Sequence, residues 1–269
     1  MLKTKIEFTA KTISILGCGW FGFALAKELV AAGYDVKGST TTEEKLNLLK
    51  AEQIDPFLIN FSADQQQSDD LFFDSDVLLI CIPPKRNSQE LSDYPAKIAS
   101  ILQRAKLSKQ VILISSTSVY GDSNETVHEQ TETHPDTESG KMILAAEEIL
   151  YRLCPENGSI IRFAGLIGPN RNPGRFFAGK TNIPNGLAPV NLIHQLDAIG
   201  IAKAIIEQSA FGQIYNACNP NHPSKMDFYT AAAKESNLPT PVFIPEKTNW
   251  KIVESLNVNL LDYMFQKQL

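Results

Sequence analysis

Three glycines near the start of the chain have the spacing that binds a dinucleotide phosphate. Gly17, Gly19 and Gly22 lie in GCGWFG, which follows the apolar run 12–16 and opens a segment with helical spacing, 21–33. The first glycine of such a turn permits a tight bend, the second lets the backbone approach a pyrophosphate, and the third lets helix and strand pack closely. Because amide groups at the helix N-terminus attract anions, this motif predicts an NAD(P) site.

Other residues complete the predicted cofactor site. Trp20 and Phe21 stand between the glycines, where packing explains them better than stacking on a ligand. The remaining predicted contacts lie at the ends of two buried apolar runs, at Ile82, Pro83 and Ser115.

The end of the second predicted strand bears on the choice of cofactor. An acidic residue at this position would hold the ribose 2′-hydroxyl of NAD, whereas this chain has Ser39, Thr40 and Thr41. Hydroxyl groups there could bind a 2′-phosphate, and Lys45 would add positive charge, although Glu43 and its neighbour complicate that reading. We therefore expect NADP(H) in preference to NAD(H). The alternative is that these residues only cap the next helix.

The elements that must position these residues alternate along the first half of the chain. Short buried strands follow helices repeatedly, which predicts an α/β fold with a doubly wound parallel sheet, the Rossmann arrangement. After residue 165 prolines and glycines become frequent and the alternation loosens. We predict an NAD(P)-binding domain over 1–165 and a smaller α+β substrate lobe over 166–269, joined to the sheet through a strand near 213–218.

Composition excludes several classes of protein. The 269 residues carry a formal net charge of -5, and no apolar run is long enough to cross a membrane. A nucleic-acid-binding domain would be basic, so we expect neither nucleic acid nor membrane as a partner. The N-terminus resembles no signal peptide, which predicts a cytoplasmic protein. The four cysteines and four histidines have no metal-ligand spacing, so we predict no metal site and reduced thiols.

One segment is positively charged despite the acidic chain. Residues 157–196 contain no Asp or Glu, yet they contain four predicted substrate contacts, which are Arg162, Arg171, Arg175 and Lys180. Guanidinium and ammonium groups suit phosphates and carboxylates, so the segment indicates a small anionic substrate such as a sugar nucleotide or phosphorylated sugar. The alternative is a surface loop whose charge is balanced by acids from elsewhere.

Several later motifs, in order along the chain, resemble one family. They are ISSTSVYGD (114–122), IRFAGLIGP (161–169), VNLIHQLDAIGIAKAI (190–205) and IYNACNP (214–220). Together they resemble the extended short-chain dehydrogenase/reductases, the NAD-dependent epimerase/dehydratase group. The resemblance implies a Rossmann fold, NAD(P)-linked chemistry and a homodimer formed through the helices near 92–106 and 138–153.

The resemblance also suggests catalytic residues, with one departure from the family pattern. Ser116 aligns with the hydroxyl that hydrogen-bonds the reacting oxygen, although a serine at a strand end could equally cap the next loop. Lys141 aligns with the lysine of the YxxxK motif, which holds the nicotinamide ribose. The motif's tyrosine falls on Thr137, whose hydroxyl is too weak an acid to replace a phenol. With its GxGxxG spacing, the chain resembles the atypical branch of the family.

The loop before Lys141 offers replacement proton donors. His134 has a suitable reference pKa, while Asp136 and Glu138 would need burial to act as acids at neutral pH, and Ser139 is also near. The alternative is a loop in which Asp136, Thr137 or Ser139 only caps the helix.

Two functions therefore stay open. The first is an NADP(H)-dependent reductase, epimerase or dehydratase acting on a small anionic substrate. The second is a non-enzymatic protein that senses NADP(H) on a degenerate dehydrogenase fold.

Overall fold

A computed structural model describes residues 10–61, 66–67, 69–84 and 88–269. Its strands are β1 Thr12–Leu16, β2 Asp35–Thr40, β3 Asp55–Leu58, β4 Asn60–Phe61, β5 Gln66–Gln67, β6 Val77–Ile80, β7 Gln110–Ser116, β8 Glu125–Val127, β9 Gly158–Phe163, β10 Gly165–Ile167, β11 Leu192–His194, β12 Ile214–Ala217 and β13 Lys251–Val253. Its helices are α1 Trp20–Ala31, α2 Glu44–Ala51, α3 Asp70–Phe73, α4 Ser88–Ser92, α5 Tyr94–Arg104, α6 Glu138–Leu153, α7 Gln195–Glu207, α8 Lys225–Glu235 and α9 Leu256–Asn259.

A seven-stranded sheet organises the fold, with the order β12-β9-β7-β6-β1-β2-β3. From β1 the chain proceeds through β2 to β3 at one edge, returns to β6 beside β1, and then builds outward in the other direction. The ladders from β3 to β7 are parallel. This is the doubly wound Rossmann arrangement, so the predicted fold class is confirmed. Its topological switch point lies between β1 and β6, where such sheets bind ligands.

The central strands form because nearly all of their side chains are apolar and buried, and the polar exception in β1, Ser14, donates its hydroxyl to the Phe72 carbonyl oxygen. Ile13 and Ile15 in β1 have no exposed surface, and all four residues of β6 are likewise buried. Near-continuous apolar runs of this kind are typical of parallel strands covered on both sides. After α1 the backbone turns through Gly33, whose φ of 89° is in the left-handed region that favours glycine.

Two predicted strands differ from the structure at their ends. The apolar run 57–61 in the sequence predicts one strand, but in the structure it is interrupted at Ile59 between β3 and β4. The amide of Ile59 donates to the carbonyl oxygen of Thr40 at 2.9 Å. The run 158–165 also divides, because β9 ends at Phe163 and β10 begins at Gly165.

The chain divides into two compact units, each assembled from separate segments. The first unit comprises the described residues up to Ile114, Ala145–Ile160 and Ala202–Gln213. The second unit comprises Ser115–Leu144, Ile161–Ile201 and Ile214–Leu269. The predicted division at residue 165 into a cofactor domain and a substrate lobe concerns ligands, and it stays a prediction.

Buried polar side chains organise the second unit. Two small parallel ladders, β10–β11 and β8–β13, lie within it. Asp197, buried at the start of α7, accepts hydrogen bonds from the Tyr263 hydroxyl and from the amides of Gln266 and Lys267. A carboxylate at the head of a helix therefore holds the last segment of the chain in place.

No helix in the described part of the chain is both long enough and apolar enough to span a membrane.

Candidate functional site

The turn between β1 and α1 is fastened to the end of β2. The amide of Gly17 donates to the Ser39 hydroxyl oxygen at 2.8 Å, and the amide of Cys18 donates to the Ser39 carbonyl at 2.9 Å. Gly17 has a φ of 100°, and a Cβ there would lie 2.8 Å from Ile82 Cγ2. Glycine is therefore required both by the backbone conformation and by the neighbouring strand end.

The other two glycines of the motif have opposite surroundings. A Cβ on Gly19 would meet no atom within 4 Å, so this residue borders open space at the start of α1. A Cβ on Gly22 would collide with the carbonyl oxygen of Gly17. Gly22 thus allows α1 to pack on the turn, while Gly19 leaves room for another molecule to approach the backbone.

An open cavity of about 520 Å³ lies beside this turn. It is referred to below as the strand-end cleft, and its lining residues are Leu16, Gly17, Cys18, Gly19, Ser39, Thr40, Thr41, Lys45, Ile59, Asn60, Phe61, Cys81, Ile82, Pro83 and Lys97. All of them belong to the first unit. The strand-end cleft follows the carboxyl ends of β1, β2 and β6, and its volume is ordinary for a small-molecule site.

The structure brings together most of the predicted cofactor residues. Seven of them line the strand-end cleft: Gly17, Gly19, Ser39, Thr40, Thr41, Ile82 and Pro83. Trp20, Phe21 and Gly22 lie in the first turn of α1 outside the lining, and Phe21 is buried. Ser115 and Lys141 belong to the second unit.

The three hydroxyl groups at the end of β2 are not equivalent. Ser39 is 2% exposed, and its oxygen already accepts the Gly17 amide. Thr40 is also buried, and its hydroxyl exchanges hydrogen bonds with the backbone of Thr42. Thr41 is the exposed member of the three. Ser39 and Thr40 therefore maintain the turn, and Thr41 is left to meet a ligand.

Two lysines give the strand-end cleft a positive charge. Lys45 is exposed near the start of α2, and Lys97 is half-buried on α5. Neither ammonium group forms an ion pair within the described ranges, and none of the described lining residues is Asp or Glu. Glu43 and Glu44 are outside the lining. The sequence did not single out Lys97, because a lysine on an amphipathic helix resembles any solvated residue.

The two cysteines of the strand-end cleft are poor nucleophiles. Burial raises the pKa of the Cys18 thiol to about 12, against a smaller opposing effect of a backbone hydrogen bond from Ser39. Burial, with the neighbouring Cys18 as a lesser cause, also raises the pKa of Cys81. All four cysteines are free. Among the described residues, no group of three or more His, Cys, Asp or Glu side chains could hold a metal ion.

In the second unit, the predicted catalytic residues Ser116 and Lys141 have local polar partners, as does Thr137. The Ser116 hydroxyl oxygen accepts from the Ser118 amide at 3.1 Å. Thr137, at the position of the missing tyrosine, accepts from the Gly140 amide at 3.1 Å and so caps α6. Lys141 Nζ lies 2.6 Å from Glu138 Oε1 on the helix surface.

The proposed proton donors have similar local surroundings. The His134 side chain is 73% exposed and lies 3.5 Å from the Glu132 carboxylate. Asp136 accepts from the Asp122 amide at 3.1 Å. Ser139 is half-buried in the first turn of α6. This arrangement matches the alternative that the 134–141 segment caps a helix, with Thr137 as the capping residue.

Arg162 occupies a different environment from the other predicted substrate contacts. It is 3% exposed, and its Nη1 donates to the Tyr120 hydroxyl at 2.6 Å while its guanidinium lies 5.0 Å from the centre of that ring. The Tyr120 hydroxyl also lies 3.0 Å from Asn216 Oδ1, and burial raises its pKa. The Arg162 guanidinium is therefore enclosed beside the Tyr120 side chain, unlike the exposed side chains of the other three residues.

The three remaining predicted substrate contacts are exposed. Arg171, Arg175 and Lys180 lie on the surface of the second unit between β10 and β11. Lys180 Nζ lies 5.6 Å from the centre of the Phe177 ring, and Lys225 Nζ lies 5.2 Å from the same centre. Lys225 was not predicted, since it is distant in the sequence from the basic segment.

Comparisons with known proteins agree with this geometry. A family model described as NADP oxidoreductase, coenzyme F420-dependent, matches residues 12–118, which include the whole strand-end cleft. Protein YeeZ of Escherichia coli (strain K12) is 38% identical over 238 residues, which cover 87% of this chain and 86% of that protein.

Solved structures share the fold at lower sequence identity. UDP-glucuronic acid 4-epimerase from Bacillus cereus, in complex with NAD, is 18% identical with a TM-score of 0.79, covering 96% of this chain and 94% of that chain. A functionally unknown conserved protein from Silicibacter pomeroyi is 22% identical with a TM-score of 0.74 and the same coverage. These structures share the Rossmann fold of this chain, which is the fold that the motifs predicted.

Proposed function

The chain belongs to the family of Protein YeeZ, and we propose that it binds NADP(H) in the strand-end cleft for oxidoreductase or epimerase chemistry on a small anionic substrate. One observation carries the proposal: the strand-end cleft contains two lysines without carboxylate partners among the described residues. A cleft lined by cations and without carboxylates attracts an anionic ligand. A dinucleotide with an additional phosphate supplies that anion.

The residues of the strand-end cleft fit this cofactor. Gly19 borders open space at the N-terminus of α1, where a pyrophosphate is favoured. Thr41 and Lys45 stand at the end of β2, where the adenosine ribose lies in this fold. An ammonium group and a hydroxyl there favour a 2′-phosphate, whereas a carboxylate would favour the free 2′-hydroxyl.

The substrate part of the proposal rests on surface charge. Arg171, Arg175 and Lys180 present three exposed cations within one segment of the second unit. Phosphate and carboxylate groups suit such side chains. Sugar nucleotides are the first class to test, because the Bacillus cereus structure with this fold is a UDP-glucuronic acid 4-epimerase. The homodimer stays a prediction.

The proposed chemistry assigns Ser116 to the reacting oxygen and Lys141 to the nicotinamide ribose. A bound nicotinamide would supply the hydride. The proton would come from the 134–139 loop or from water, because Thr137 cannot act as an acid near neutral pH.

The side chains of the 134–139 loop favour a second function, that of a non-enzymatic protein that senses NADP(H). Thr137 caps α6, and His134 is mostly exposed. A protein that senses NADP(H) would need the strand-end cleft and no proton donor at all.

Two measurements test these proposals. Titration of NADPH and NADH against intrinsic fluorescence should give at least about tenfold tighter binding of NADPH, and equal or tighter binding of NADH would overturn the NADP(H) proposal. Absorbance loss of NADPH with sugar nucleotides, aldehydes and ketones tests catalysis. Turnover that Ser116→Ala and Lys141→Ala abolish supports the enzyme, whereas tight NADPH binding without turnover supports the sensor.

A further inference from the structure

We propose that Lys97 is a second specificity-determining residue, which binds the cofactor's 2′-phosphate together with Lys45. The proposal rests on the NADP(H) function above and adds to it a residue from a distant part of the chain. Lys97 lies on α5, beyond β6, and so belongs to the opposite branch of the sheet from Lys45.

Lys97 shares the lining of the strand-end cleft with residues that follow β2 and β3. The amide of Ile59 donates to the Thr40 carbonyl at 2.9 Å, so the break between β3 and β4 lies directly beside the end of β2. The next residue, Asn60, begins β4, and α5 packs against β4. Ile59, Asn60 and Lys97 all line the strand-end cleft with Thr41 and Lys45.

The charges in this region favour an anion. Lys97 is half-buried on α5, and it lines the strand-end cleft together with Lys45. Within the described ranges it has no carboxylate partner, and Lys45 also has none. Two cations lining one cavity repel each other until a ligand neutralises them. A phosphate monoester carries close to two negative charges and can accept hydrogen bonds from both.

NADPH carries phosphate groups at two places, and binding measurements can show which of them Lys97 contacts. The pyrophosphate is common to NADH and NADPH, whereas the 2′-phosphate is present only in NADPH. A lysine bound to the pyrophosphate would support both cofactors equally. Because α5 contacts β4, which follows the break beside the end of β2, the 2′-phosphate is the phosphate that we assign to Lys97.

The experiment compares Lys97→Gln with the wild type in binding NADPH, NADH, 2′,5′-ADP and 5′-ADP by titration calorimetry. Lys97→Gln should weaken NADPH and 2′,5′-ADP by about tenfold or more and change NADH and 5′-ADP by less than about twofold. Lys106→Gln removes an exposed lysine just after α5 and should leave all four affinities unchanged.

Other outcomes separate this inference from the proposed function. Equal weakening of NADPH and NADH would assign Lys97 to the pyrophosphate and overturn the proposal. An unchanged NADPH affinity would overturn it as well. If the wild type itself does not prefer NADPH, the NADP(H) function fails instead. Thermal unfolding of both variants distinguishes lost binding from misfolding.

Discussion

The strand-end cleft and the 134–141 segment were both predicted to carry chemistry, and they differ in how their polar groups are satisfied. In the strand-end cleft, Lys45 and Lys97 have no partner among the described residues, and Gly19 borders open space. In the 134–141 segment, Thr137 caps a helix and Lys141 pairs with Glu138. A region that binds a ligand leaves polar groups unpaired, whereas a structural loop pairs its own.

The largest expected effect comes from replacing Gly19 and Gly22, two glycines of the same motif. Gly19→Ala adds a Cβ to open space, so we expect unchanged thermal stability but at least about 100-fold weaker NADPH binding, because the methyl group occupies the space a pyrophosphate needs. Gly22→Ala adds a Cβ that collides with Gly17, so it should lower both binding and the melting temperature. Calorimetry and thermal unfolding measure the two quantities. If Gly19→Ala binds NADPH normally, the strand-end cleft is not the phosphate site.

The raised pKa of the Cys18 thiol predicts how stability depends on alkaline pH. In the unfolded chain a thiol has a pKa near 8.5, whereas folding raises that of Cys18 to about 12. The folded state then binds more protons than the unfolded state, so the free energy of unfolding falls as the pH rises between these values, by at most about 1.4 kcal/mol per pH unit for each thiol. Urea unfolding from pH 8 to 11 should show a shallower fall for Cys18→Ser than for the wild type. Identical slopes would contradict the burial of this thiol.

The capping role of Thr137 predicts a smaller effect. Thr137→Ala should lower the free energy of unfolding by about 1 kcal/mol, because the Gly140 amide loses its acceptor, and should leave NADPH affinity unchanged. Thr137→Ser retains the hydroxyl and serves as the matched control. Urea unfolding and cofactor titration measure the two effects. A loss of NADPH affinity in the alanine variant alone would show that this hydroxyl takes part in binding.

Substitution of Lys141 is expected to give the smallest change in stability. It also tests most directly whether the 134–141 segment differs from the strand-end cleft in binding no ligand. Its ion pair with Glu138 is exposed, so Lys141→Gln should change the free energy of unfolding by less than about 0.5 kcal/mol. The proposed function nevertheless requires weaker NADPH binding in this variant, since Lys141 is assigned to the ribose. Unchanged binding would leave the 134–141 segment a structural loop and remove Lys141 from the proposed site.

The fold could be predicted because apolar runs and the glycine motif are visible in short stretches of sequence. The site could be predicted only in part, because some of its residues meet through contacts between distant parts of the chain. Buried strands such as β1 and β6 are recognisable because their apolar runs are continuous, and the glycine motif marks the turn between β1 and α1. The break at Ile59 was missed because the residues of the run 57–61 give no sign of it, and the Ile59 amide itself continues the β2–β3 ladder at Thr40. Arg162 was predicted to contact a substrate because its burial against Tyr120, 42 residues away in the sequence, could not be recognised from the residues around it. Lys97 was missed for the same reason.

The hydrogen bond between the Gly17 amide and the Ser39 hydroxyl has a consequence for redesign of the cofactor preference. An obvious route to NAD(H) would place an aspartate at the end of β2. At position 39 that change would bury a negative charge and replace the hydroxyl that fixes the glycine turn. Thr41 is exposed, so it is the position at which the proposed NADP(H) preference should be tested by substitution, because the hydrogen bonds of the turn are then left in place.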